Sequence, residues 1–104
     1  MMDTGLNLDS TSKICAVFKK FPQVEQAILY GSRAMGTFKP GSDIDITLLG
    51  HDLTQDLIWK IAQALDDILL PYMFDLSLFE TIDNPELKEH ISRVGIVFYQ
   101  ADFE

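Results

Sequence analysis

The chain has 104 residues, which at roughly 150 residues per domain is room for one domain with a real core, residues 1–104. Hydrophobic residues make up 47% and charged residues 23%, an ordinary globular balance that excludes a disordered or collagen-like chain. A net charge of −8 is a poor start for gripping DNA or RNA, because counterion release needs Lys and Arg, and a polyanionic substrate would need metal ions to enter.

Asp9 or Ser10 is placed to cap a first helix, along which Ile14, Val17, Phe18 and Phe21 recur at helical spacing until Pro22. Cys15 is the single cysteine. It allows no intrachain disulfide and no multi-cysteine metal site, and its neighbours Ile14, Ala16, Val17 and Phe18 predict a buried thiol. Val24 to Tyr30 is apolar and bounded by Pro22 and Gly31, as a short buried strand would be. Ser32 to Met35 predicts a helical turn, and a loop rich in Gly and Pro follows from Gly36 to Ser42. Asp43 to Leu49 alternates polar and apolar and predicts a second strand.

Leu57, Ile58, Ile61, Ala62, Leu65, Ile68 and Leu69 form one wide stripe of a long helix that Pro71 ends. Trp59 lies at the stripe's margin and is expected to pack against the sheet edge; the sharper alternative is an anchor for a partner protein. Met73 to Phe79 predicts a third strand. Asn84 caps a last helix with Pro85 and Glu86 in its first turn, and Gly95 suits a left-handed helix end. Ile96 to Tyr99 predicts a fourth strand. The resulting fold class is α+β, a small mixed sheet of about four strands with helices packed on it.

No basic segment followed by an apolar run opens the chain, and apolar stretches such as Ile68–Leu70 fall far short of the ~20 residues that span a bilayer. The expected location is the cytoplasm, with no membrane contact. His51 and His90 form no ligand motif and are expected in exposed polar roles. Glu80, Asp83, Glu86 and Glu89 predict a solvated acidic face.

The chemistry concentrates in residues 31–45. Gly31 and Ser32 stand between a strand end and a helical turn, where backbone N–H groups can meet a phosphate. After ten intervening residues come Asp43-Ile44-Asp45. Alternate residues of a strand share a face, with Cα atoms about 6–7 Å apart, so the two carboxylates can share one or two hard cations. Mg²⁺ suits them because it fills its remaining positions with water and phosphate oxygens. Asp75, between Phe74 and Leu76, joins them if its strand pairs beside the second. Three uncompensated carboxylates repel one another, and a divalent cation relieves the conflict. The pattern points to two-metal phosphoryl or nucleotidyl transfer. Arg33 and Lys39 can meet phosphate, or be solvated or ion-paired with an aspartate. Ser42 is assigned to turn chemistry.

Gly31-Ser32, ten residues, then Asp43-x-Asp45 resembles the signature of the DNA polymerase β-like nucleotidyltransferases, and the shortness of the chain resembles their minimal (MNT) branch, which includes MntA-type antitoxins. The resemblance runs from Val24 to Tyr99; one departure is Met35, where many relatives carry a basic residue. It implies that Asp43, Asp45 and Asp75 are catalytic metal ligands, with Asp75 nearest the acceptor, and that Gly31 and Ser32 bind the nucleotide's terminal phosphates. It implies Mg²⁺, two ions, with ATP as substrate. It also implies a helical HEPN-type toxin as partner in a hetero-oligomer, with AMP transferred to a tyrosine hydroxyl of that toxin. The alternatives are a non-catalytic antitoxin that neutralises by complex formation, and transfer to a small molecule. The acidic balance argues against nucleic acid as a direct partner.

Overall fold

The computed structural model describes residues 4–39 and 41–101. Pro40 of the loop, Met1 to Asp3 and residues 102–104 of the expected domain lie outside the described residues. The elements run α1 (Leu8–Lys19), β1 (Val24–Tyr30), α2 (Ser32–Met35), β2 (Ile44–Gly50), α3 (Gln55–Asp67), β3 (Phe74–Leu78), a single 3₁₀ turn (Phe79–Thr81), α4 (Pro85–Val94) and β4 (Ile96–Gln100). This is the expected order of helices and strands. The sheet order is β3-β2-β1-β4, with β1 antiparallel to β2 and β4, and β2 parallel to β3. The fold class is the mixed α+β arrangement expected.

Strand alternation divides the sheet into two faces. On one, Ala27, Leu29, Ile44, Ile46 and Leu48 are fully buried in a cluster with Ile14, Val17 and Phe18 of α1 and Ile58, Ile61 and Leu65 of α3. Each buried Leu, Ile, Val or Phe among them contributes about 1.5–3 kcal/mol. The other face carries Ile28, Tyr30, Asp45 and Asp75, and α4 packs on it beside β1.

The helix ends correct several expectations. Asn7, with extended backbone angles, caps α1 by accepting from the Ser10 N–H at 2.7 Å; Asp9 and Ser10 already lie within the helix. Asn84 caps α4 with Pro85 in its first turn, as expected, accepting from the Glu86 and Leu87 N–H groups. Gly95 is extended (φ −61°, ψ 140°) and not left-handed. Its missing side chain serves close packing: a Cβ there would press on the Ile91 carbonyl and stand 2.8 Å from the Ile28 side chain.

The α3 stripe is narrower than expected. The helix ends at Asp67, Ala62 and Leu69 are exposed, and Ala64 packs in their place. Trp59 is 69% exposed and so does not pack away against the sheet edge. Cys15 is half-buried, its thiol donating to the Phe98 carbonyl at 3.4 Å while burial pushes its pKa up. Among the described residues no helix is long and apolar enough to cross a membrane.

Candidate active site

Three side chains stand in one row across three strands. Tyr30 of β1 pairs with Asp45 of β2, and Asp45 pairs with Asp75 of β3. Directly opposed residues share a face, so the parallel β2–β3 pairing delivers Asp75 beside Asp45, the condition the sequence left open. Ile44 and Ile46, both fully buried, flank Asp45 and fix the register. Asp43 lies one residue before β2 rather than in it, and is exposed.

Asp45 feels both of its acidic neighbours. The Asp45 carboxyl is held above its ordinary pKa, first by burial, then by the negative charges of Asp75 and Asp43, with His90 pulling the other way. Tyr30 is buried, and its hydroxyl pKa is raised by that burial and by the charges of Asp75 and Asp45. Ser77 stands near enough to the phenol to oppose that shift, although its own buried Oγ lies outside hydrogen-bonding geometry with any described group.

Gly31 follows Tyr30 and turns the chain into α2 with φ 76° and ψ −156°, a conformation that favours glycine. A Cβ at this position would collide with the Asp45 carboxylate, so the turn lies directly against that side chain. Ser32, half-buried, is the first residue of α2. The five sequence-predicted residues thus gather at one end of the sheet: Gly31 and Ser32 on the turn, Asp45 and Asp75 on the row, and Asp43 at the mouth.

Residues 12–104 match the family "Polymerase beta, Nucleotidyltransferase". The chain belongs to that family. As a nucleotidyltransferase it is an enzyme, and it has the family's fold. A crystal structure of a toxin–antitoxin with AMP-PNP is similar to it at a TM-score of 0.72 and 27% identity, over 88% of this chain and 73% of that one. The toxin–antitoxin MntA–HepT (TM-score 0.68, 23% identity, 91% of this chain and 74% of that one) shares the fold. So does a complex of a tri-AMPylated Shewanella oneidensis HEPN toxin with MNT antitoxin (0.65, 23%, 88% and 71%). In fold the nucleotidyltransferase resembles these toxin–antitoxin structures. No curated protein is significantly similar to it in sequence.

Among the described residues, no three His, Cys, Asp or Glu side chains converge tightly enough to cage a metal by themselves. The donor set nonetheless suits a hard cation: oxygen ligands on one face, with like-charge repulsion at Asp45 that a cation would relieve. Such an ion takes its remaining ligands from water and substrate phosphate.

Two residues of this nucleotidyltransferase take roles the sequence did not indicate. Arg33 is neither at phosphate nor in solvent; it is 2% exposed. Its Nε and Nη2 donate to the Ser42 carbonyl (3.1 and 2.9 Å) and its Nη1 to the Thr4 carbonyl (2.8 Å). The guanidinium sits between the rings of Phe38 and Tyr72, 5.2 and 5.0 Å from their centroids. It ties the loop before β2 to the N-terminal segment. Lys39 is exposed, and Ser42 Oγ accepts from the Lys39 N–H, which is turn chemistry as expected. His51 is exposed and pairs with Glu25 at 3.1 Å. His90, expected in an exposed role, is half-buried at the site: its Nε2 accepts from the Gly31 N–H at 3.3 Å, and its ring meets Tyr30 edge-on. The signal was in α4, where Leu87, His90, Ile91 and Val94 form one inward stripe.

Proposed function

We propose that the chain is the antitoxin of a toxin–antitoxin pair and transfers AMP from ATP to a tyrosine hydroxyl of a helical HEPN-type toxin, with which it forms a hetero-oligomer in the cytoplasm. The observation that carries this reading is the row of Asp45 and Asp75 across β2 and β3, with Gly31 against the Asp45 carboxylate. The similarity to a toxin–antitoxin structure with AMP-PNP supports ATP as the substrate and a toxin as the acceptor's carrier.

In the reaction the acceptor oxygen attacks the α-phosphorus in line. The new oxygen–phosphorus bond forms as the bond to the β-phosphate bridging oxygen breaks, and pyrophosphate leaves. Asp43, Asp45 and Asp75 would hold two Mg²⁺ ions, which when bound supply charge neutralisation of the triphosphate and a lowered pKa for the acceptor hydroxyl. Asp75 is exposed and stands where an incoming hydroxyl can reach it, so it receives the acceptor's proton. The Gly31–Ser32 turn holds the terminal phosphates. Residues 1–104 act as one nucleotidyltransferase domain, and the acceptor is brought by the partner protein. With a net charge of −8, nucleic acid is not the direct partner.

Labelled ATP tests the reaction class. Label at the α-phosphorus should appear on the toxin and label at the γ-phosphorus should not. Transfer of the γ-label would make the protein a kinase. Silencing of the toxin with no label transferred would make it an occluding antitoxin.

A further inference from the structure

The Gly31 turn has a problem that its own sequence does not solve. Glycine is the most permissive residue, and the local restraint falls on its carbonyl, which accepts from the Met35 N–H at 3.1 Å, while its N–H faces away from α2 and the turn lies pressed against Asp45. The restraint on the N–H comes from α4, 59 residues away. His90 Nε2 accepts the Gly31 N–H at 3.3 Å. The ring is oriented in turn by Tyr30, whose ring it meets at 81° with centroids 6.3 Å apart. The helix beneath is anchored by the buried Ile91 and by the close approach of Gly95 to Ile28.

We infer that His90 is a positioning residue of the nucleotide site: by accepting the Gly31 N–H it clamps the Gly31–Ser32 turn against Asp45 and leaves Ser32 as that pair's hydrogen-bond donor to phosphate. The inference rests on the nucleotidyl-transfer reading and sharpens it. The Gly31 N–H is already engaged, so Gly31 serves by conformation and by the room it leaves for the Asp45 carboxylate. The hydroxyl and N–H of Ser32 then carry the contact with the triphosphate.

The test compares His90→Leu with His90→Gln, whose side-chain oxygen can replace Nε2 as acceptor. KM for MgATP and kcat are measured with the toxin as acceptor, and the Gly31 amide is followed by NMR in each protein. His90→Leu should raise KM roughly three- to tenfold, the range for losing one hydrogen bond, with a smaller change in kcat. His90→Gln should bring KM back to within about twofold of the wild type. The Gly31 amide proton should move upfield in the Leu variant and return in the Gln variant. Wild-type KM in both variants, or Gln behaving like Leu while both remain folded, would overturn the role of His90 alone. A wild-type Gly31 amide with the temperature dependence of an unbonded group would overturn it without any variant. A wild-type chain that neither binds MgATP nor transfers AMP would overturn the nucleotidyl-transfer reading together with it.

Discussion

The two faces of the sheet are built from the same strands with opposite outcomes. Beneath α1 and α3, Ala27, Leu29, Ile44, Ile46 and Leu48 are sealed from water. One residue out of step, Tyr30, Asp45 and Asp75 form a row whose carboxylates repel one another and stay accessible. In β2 the two outcomes alternate residue by residue through Ile44, Asp45 and Ile46. The apolar face therefore does more than stabilise: it fixes where the charged face can be, because a one-residue slip would bury Asp45 and expose both isoleucines. The site's position is set by packing on the side that takes no part in its chemistry.

The largest expected effect comes from the charged face. Asp43→Asn combined with Asp45→Asn should cut transfer by about a thousandfold or more, the scale of losing several kcal/mol of transition-state charge stabilisation. The circular dichroism spectrum and cooperative melting should remain. On the packed face the effect moves to stability. Ile46→Ala should cost about 2–5 kcal/mol in chemical denaturation, because Ile46 is fully buried and the cavity cannot collapse. Gly31→Ala lies between the two. A non-glycine residue at φ 76° and ψ −156°, a region essentially reserved to glycine, costs about 1–3 kcal/mol, and the new methyl would also displace the Asp45 carboxylate, so melting temperature and transfer should fall together.

The smallest effect tests the conflict on the charged face directly. The folded-state pKa of Asp45 is raised, so the native protein holds this proton more tightly than the unfolded chain, and stability is lost as pH rises through the folded value. Asp45→Asn removes that loss. Its melting temperature at pH 7 should exceed the wild type's by roughly 2–4 °C, a figure kept small because the carboxylate is only half-buried. The advantage should vanish below pH 3.8, the ordinary aspartate value, where both states of the wild type are protonated.

Much of this was legible in the sequence because it is local. The alternation through Ile44, Asp45 and Ile46 gave the strand and its two faces, and the Asn84–Pro85–Glu86 run gave the start of α4. What escaped depends on residues far apart in the chain. Asn7, Asp9 and Ser10 are all competent caps, and only the backbone angles at Asn7 decide among them. Gly95 is required by the Ile91 carbonyl of its own helix and by Ile28 across the α4–sheet contact, and not by a left-handed backbone. Arg33 looked like a surface or phosphate group because its partners, the Thr4 and Ser42 carbonyls and two aromatic rings, come together only in the fold. His90 meets Gly31 only once α4 lies on the sheet, although the stripe it shares with Leu87, Ile91 and Val94 already turned it inward.

The most direct test is the intact mass of the proposed HEPN-type toxin partner, after incubation with the chain, Mg²⁺ and ATP. Mass gains in whole AMP units, absent when Asp43→Asn and Asp45→Asn are combined, are the expected result. An unchanged mass, with the toxin silenced in a stable complex by wild type and double variant alike, would contradict catalysis by this row of carboxylates.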